Sequence, residues 1–192
     1  MYNPARIMLV NLRALLGGFV DIILMRRGPE HLPASVVVLV CTVAVNLAIY
    51  AVTTVVGPKP PENWLLQLAV ATAVSLLWFQ LALTLLRKRE RFVQTMTAIF
   101  GTNAMFLPAM VPLGAAVLPY LQKKADDVAA DPPSALLILF MILGLWQLVV
   151  QVRIVHAAFE WPYFASVLFI FGQGFVSLIV FFILFGVPQP PA

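Results

Sequence analysis

The chain has 192 residues, of which 62% are hydrophobic and only 10% charged, and its mean hydropathy is +0.97. Soluble domains carry about 25% charged residues, so the composition excludes a soluble globule. A net charge of +4 and a pI near 9.6 do not point to nucleic acid, because the basic residues flank apolar runs and form no polar domain of their own.

Residues 5 to 25 read as an amphipathic helix. At 100° per residue, Arg6, Arg13, Gly17 and Asp21 fall in a stripe of about 80°, with Leu9, Leu12, Leu16, Phe19 and Ile23 on the rest of the surface. That pattern suits a helix lying in the cytoplasmic interface or packed along a bundle better than a span; a spanning helix is the alternative. Its charges are spread through its length, so no cleavable signal peptide is expected. Arg26-Arg27-Gly28-Pro29 stops it, with Gly28 as the expected left-handed cap and Pro33 as the expected first helical position of the next element.

Five apolar spans are predicted after that. Ala34 to Val56 carries no charge and is long enough for about 30 Å of hydrocarbon. Its only cysteine, Cys41, is also the only one in the chain, so no intrachain disulfide forms, and it reads as a small residue at a helix contact. A proline-rich outer turn, 57–63, leads to the second span, Trp64 to Leu86. Ala71, Ser75, Trp78 and Ala82 share one stripe of that span and Ala69, Ala73, Gln80 and Thr84 another, which predicts contacts on two sides.

The run Arg87, Lys88, Arg89, Glu90, Arg91 then interrupts the apolar sequence. Placing one Arg or Lys at the bilayer centre costs about 2.5–3.5 kcal/mol, so the run is a turn in water. The third span, from Val93 to about Tyr120, holds Gln94, Thr95, Thr97, Thr102 and Asn103, and then Pro108 and Pro112. The two prolines predict a kinked or interrupted helix, with any non-helical backbone buried in protein or lining a polar cavity. After the polar outer segment 122–133 comes the fourth span, Ser134 to Phe159. It has Gly144, Gln147 and Gln151 on one face and Arg153, His156 and Glu160 on the other; snorkelling and mutual pairing are expected of that trio, and binding of a lipid headgroup or a partner at the cytoplasmic interface is the alternative. Trp161-Pro162-Tyr163 turns the chain into the fifth span, which contains Gly172-Gln173-Gly174 and ends near Phe185.

The fold expected is an all-α integral membrane protein. Residues 1–33 form a cytoplasmic amphipathic helix and turn, 34–187 a five-helix transmembrane bundle with a kinked third helix, and 188–192 a short proline-rich tail. Arg6, Arg13, Arg26 and Arg27, the basic residues of the 87–91 turn, and Arg153 lie on one side; Lys59, Lys123 and Lys124 lie on the other. That asymmetry predicts a cytoplasmic N-terminus and a periplasmic C-terminus. A weak internal repeat also shows. Gln80-Leu81 aligns with Gln147-Leu148, each twelve residues before a phenylalanine (Phe92, Phe159), and Ile-Phe-Gly recurs at 99–101 and 170–172. A duplicated hairpin and chance likeness between leucine-rich helices both account for it.

Phosphate-binding, metalloprotease and nucleophile-elbow motifs are all missing, and no carboxylate falls at mid-membrane depth. No enzyme activity, cofactor or metal is therefore expected. Asn46, Gln67, Gln80, Asn103, Gln147, Gln151 and Gln173 form a neutral amide set whose ordinary role is hydrogen bonding between helices. Asn103, Gln147 and Gln151 are the candidate polar interaction residues. Arg87, Lys88, Arg89, Arg91, Arg153 and His156 are the candidate cytoplasmic interface. The partners expected are the lipid bilayer and other integral membrane proteins or a second copy, with no nucleic acid. A scaffold, assembly factor or accessory subunit fits best; the alternative is a small-solute channel with a neutral cavity beside the kinked helix.

Three segments carry a family resemblance: Arg26-Arg27-Gly28-Pro29-Glu30-His31-Leu32-Pro33, the run RERFVQTMTAIFGTNAM at 89–105, and WQLVVQVRIVHAAFEWPYF at 146–164. Together they resemble bacterial members of the Yip1 superfamily, small polytopic inner-membrane proteins. The resemblance implies five membrane helices and a cytoplasmic N-terminus. The chain lacks the long polar N-terminal domain and the Asp-Leu-Tyr-Gly-Pro element of the eukaryotic members, so no Rab-binding residue carries over.

Overall fold

The computed structural model describes residues 4–56, 63–121 and 134–186. Residues 57–62 of the expected outer turn 57–63, the polar segment 122–133 and the tail 188–192 lie outside them. The described chain is all helical, with α1 Pro4–Ile23, α2 Val36–Val56, α3 Trp64–Leu85, α4 Phe92–Leu121, α5 Ser134–Phe159 and α6 Tyr163–Phe185. Single-turn 3-10 helices at Pro29–His31 and Arg89–Arg91 precede α2 and α4. Among the described residues four helices are long and apolar enough to cross a membrane, α3, α4, α5 and α6, and α2 offers a shorter apolar stretch, Val36–Val52. Large apolar side chains such as Val37, Leu77, Leu85, Phe164 and Ile183 stand exposed along these helices, a surface that suits hydrocarbon and not water.

The bundle is arranged around α4, which touches α1, α2, α3 and α5. The α5 helix also packs on α6, and α6 on α3. The buried core follows from this: α4 alone supplies Met96, Ala98, Ile99, Phe100, Ala104, Phe106 and Val117. Where α3, α5 and α6 meet, Phe169 holds an aromatic cluster, with ring centroids 5.1 Å from Phe79, 4.9 Å from Phe159 and 5.3 Å from Trp78. Offset and edge-on contacts of this kind add about 0.5–1.5 kcal/mol each beyond area burial.

Helices α1, α3 and α5 finish at one end of the bundle, called here the basic end because it carries Arg26, Arg27 and the 87–91 turn. Each finishes with a non-glycine residue in the left-handed region: Met25 (φ 59°), Arg87 (φ 58°) and Glu160 (φ 58°). The Met25 N–H donates to Ile22 and Arg26 N–H to Asp21; likewise Arg87 N–H donates to Thr84 and Lys88 N–H to Leu83. These are paired 5→2 and 6→1 bonds of a Schellman cap. The first cap thus falls at Met25 and not at the expected Gly28, whose φ is −103°. Pro33 likewise does not open α2; Pro29 opens the 3-10 turn instead.

Of the two placements expected for α1, in the interface or packed along the bundle, the structure shows the packing. Phe19 and Ile22 of α1 are buried in the common core. Farther up the helix, Leu12 shares an apolar groove of about 260 Å³ with Ile49 of α2 and Met105 of α4. Met105 lies thirteen residues into α4, about 20 Å from its start. Helix α1 therefore runs along the bundle. The reason is an apolar surface wide enough to fill the gap between α2 and α4, with Gly101 leaving room for the Phe19 ring.

Of the kinked and interrupted alternatives for the third span, the interrupted one falls: α4 is continuous from Phe92 to Leu121, through Pro108 and Pro112. Within the chain α3 is contacted mainly along one of its two stripes: Ala71, Ser75, Trp78 and Ala82 are half-buried, whereas on the other Ala69, Ala73 and Thr84 are exposed and only Gln80 is half-buried. The proposed duplication also meets a mismatch, because Phe92 opens α4 whereas its aligned partner Phe159 closes α5.

Candidate functional site

Two polar constellations stand out in this apolar bundle. The first closes the basic end. The last four carbonyls of any helix lack intrahelical partners and carry the negative end of the macrodipole. In α5 all four are satisfied. His156 O accepts from Glu160 N–H at 2.8 Å. Ala157 O and Ala158 O accept from Arg91 Nη1 at 3.4 and 3.2 Å, and Phe159 O accepts from Lys88 Nζ at 2.8 Å. The same two cations grip Glu160, Lys88 Nζ at 2.7 Å from Oε2 and Arg91 Nη2 at 2.6 Å from Oε1. The α3–α4 turn is thus latched onto the end of α5. Sequence reasoning placed these residues on one side but expected Glu160 to pair with Arg153 or His156. It pairs with the turn because the left-handed cap swings residue 160 off the α5 axis.

The latch explains why Glu160 ionises readily. Hydrogen bonds from Lys88 and then Arg91, with their positive charges, hold its carboxyl below the ordinary 4.5. A depressed carboxylate stabilises the fold above its unfolded pKa and loses that contribution as pH falls through the folded value. Acidification from pH 6 to below about 4.5 should therefore lower the thermal midpoint of the wild type more than that of Glu160→Gln, as followed by circular dichroism in detergent; equal slopes would rule the latch out. Removing either cation uncaps α5 as well. Lys88→Ala and Arg91→Ala should each cost on the order of 0.5–1 kcal/mol.

A polar cleft of about 390 Å³ opens beside the latch. Pro29 and Glu30 wall it on one side, Arg91, Gln94 and Thr95 on another, and Glu160 on a third. Gln94 Nε2 ties the α1–α2 turn in place, donating to Leu32 O at 2.8 Å and Glu30 O at 3.3 Å. Gln94 carries no distinguishing sequence signal, since its partners are backbone carbonyls 62 and 64 residues away.

The second constellation lies halfway along the helices. Asn103 Oδ1 of α4 accepts from Gln147 Nε2 and Gln151 Nε2 of α5, both at 3.1 Å. Asn46 of α2 donates to Phe100 O of α4 at 3.3 Å, and Gln173 of α6 donates to Ser75 Oγ of α3 at 2.8 Å. Counted at 1.5 Å per residue from the basic end of each helix, all these amides sit about 12–18 Å deep. They stitch α2 to α4, α4 to α5 and α6 to α3 in one layer. Gln67 and Gln80 make no such bond among the described residues. The hydroxyls of Thr95, Thr97 and Thr102 point back to their own helix, to Arg91, Val93 and Ala98 carbonyls at 2.7–2.8 Å, so the polar-looking start of α4 presents almost no free polarity.

The remaining candidates do not join either group. Arg87 and Arg89 are exposed, and Arg153 is half-buried; no ion pair or hydrogen bond engages these side chains among the described residues. His156 donates from Nδ1 to Trp161 O and stacks on Tyr163, with centroids 4.1 Å apart at 14°. Among the described residues no three of His, Cys, Asp and Glu gather as a metal-holding group. Compared with protein-family models, curated proteins and solved structures, the chain finds no match in any of the three.

Proposed function

We propose that the chain is a non-enzymatic multi-pass protein of the bacterial inner membrane. It works through lateral helix contacts, as a scaffold, assembly factor or accessory subunit. The observation that carries this reading is the uncovered stripe of α3. Ala69, Ala73 and Thr84 are small enough for close helix approach, yet the chain's own helices leave them exposed while filling the opposite stripe. The occupant is a helix of another integral membrane protein or of a second copy. The channel alternative loses support, because Asn103 is engaged by Gln147 and Gln151 and the threonines beside it are bonded within α4.

In this reading α2 to α6 are five spans, α4 bends at its two prolines, and the basic end faces the cytoplasm, where the anionic leaflet attracts each basic side chain by about 1 kcal/mol. The periplasmic C-terminus follows. An N-terminal reporter reads cytoplasmic under five spans. A periplasmic N-terminus, which the depth of Leu12 beside Met105 would explain, adds α1 as a sixth. The resemblance to the bacterial Yip1 superfamily agrees with five spans and stands as part of this proposal.

A photo-crosslinking residue at Ala73 tests the contact itself. It should capture a discrete partner in membranes, identified by mass spectrometry, whereas the same residue at Ile183 on the outer face of α6 should not. A clean monomer with no adduct at Ala73 would end the scaffold reading.

A further inference from the structure

We propose that Arg153 of α5, one turn before His156, holds the phosphate of a phospholipid in the leaflet at the basic end. The inference rests on the membrane placement above but not on the scaffold reading. On a helical wheel Arg153 lies within the arc formed by Ile142, Leu145, Trp146 and Val149, all exposed. The opposite arc is filled by the core residues Val150, Val152, Ile154, Val155, Ala158 and Phe159. Arg153 therefore faces lipid. It lies six residues inside the end of α5, about 9 Å from it, a distance an arginine side chain spans toward the headgroup layer.

Among the described residues this cation has no acid partner. The nearest carboxylate on the same face, Glu160, is held by Lys88 and Arg91. Among the described residues no side chain pairs with Arg153. A guanidinium so placed is best satisfied by an oxyanion that comes to it. Phosphate matches its planar fork in a bidentate pair, and phospholipid is the phosphate present in that layer. The ring stack one turn on adds shape: His156 is fixed by its bond to Trp161 O and by Tyr163. The exposed Tyr163 puts an aromatic ring at the interface, the level such residues favour.

Native mass spectrometry of protein released from mild detergent, after addition of phosphatidylglycerol, tests the site. The wild type should keep one lipid under activation that strips the others. In Arg153→Gln that retained fraction should fall about tenfold. Arg153→Lys should keep an intermediate share, and Arg89→Gln, which removes an exposed turn cation, should match the wild type. Circular dichroism of each variant separates loss of the site from loss of the fold; should Arg153→Gln fail to fold, the lysine variant decides, and unchanged retention there overturns the bidentate site. Equal retention in Arg153→Gln and wild type overturns the proposal. So does displacement of the lipid by inorganic phosphate, which would make the ligand a free anion, or loss of a co-purifying protein in place of a lipid, which would make Arg153 a partner contact. Failure of the Ala73 crosslink leaves these outcomes untouched.

Discussion

Gly101→Leu should detach α1 from the bundle. A Cβ built at residue 101 would lie 2.2 Å from Cε1 and 2.3 Å from Cζ of Phe19, far inside van der Waals contact. The Phe19 ring cannot simply turn away, since it is only 4% exposed and packed in the shared core. Even Gly101→Ala must shift α1. Overpacking of this kind costs about 1–3 kcal/mol, and leucine, with three more carbons, should exceed that range. Helix α1 has little to resist with, because Phe19 and Ile22 are its buried anchors among the described side chains. The expected result is a lower thermal midpoint in detergent and new proteolytic cleavage between α1 and α2. Phe19→Ala alone should also destabilise, by about 3–5 kcal/mol for a large cavity. The double variant Gly101→Ala/Phe19→Ala should be less destabilised than the sum of the two singles, because each fills what the other vacates. Strict additivity would show that the two residues do not touch.

The contact marks the boundary of what the sequence discloses. Helices α2 to α6 were legible to within about two residues at their ends, because charge, proline and apolar length each set a boundary that hydrophobic free energy enforces. Asn103, Gln147 and Gln151 were also legible as interhelical groups. Amides surrounded by leucine must find partners, and Gln147 and Gln151 share a face at i, i+4. Which partner each takes is a matter of helix order, which periodicity does not encode: nothing in the sequence distinguishes Gln80, unbonded, from Gln147. The packing of α1 was illegible for a related reason. An amphipathic helix buries its apolar face equally well in an interface or against a bundle, and the deciding feature is a single glycine 82 positions from Phe19. Gly101 and Gly172 stand in the same Ile-Phe-Gly triplet and both admit an aromatic ring, Phe19 and Trp78 respectively. In the sequence the triplet reads only as a repeat, and its packing role depends on residues elsewhere. The latch was half legible. Charge placed Lys88 and Arg91 beside the end of α5, but backbone handedness at Glu160 decided that they, and not Arg153, receive its carboxylate.

Asn103 gives the second large effect, and its sign depends on what is removed with it. In Asn103→Leu, Gln147 and Gln151 both lose their acceptor at 3.1 Å some 12–18 Å from the basic end. Each interhelical bond of this kind contributes about 0.6–2 kcal/mol, and the stranded glutamines add a desolvation cost. The single variant should lose about 2–3 kcal/mol by reversible unfolding in mixed micelles. Gln147→Leu or Gln151→Leu alone should cost less, because Asn103 keeps one donor. The triple variant, with leucine at 103, 147 and 151, should recover most of the loss, since replacing every member of a polar group by apolar side chains leaves nothing unsatisfied. That non-additive recovery separates the two functional readings. If the amides serve to join α4 to α5, the triple variant folds and still yields the Ala73 adduct. If they line a solute path, it folds and loses transport, and proteoliposomes of the wild type must show a flux for it to lose. The geometry favours the first result, because Asn103 Oδ1 already accepts from both glutamines.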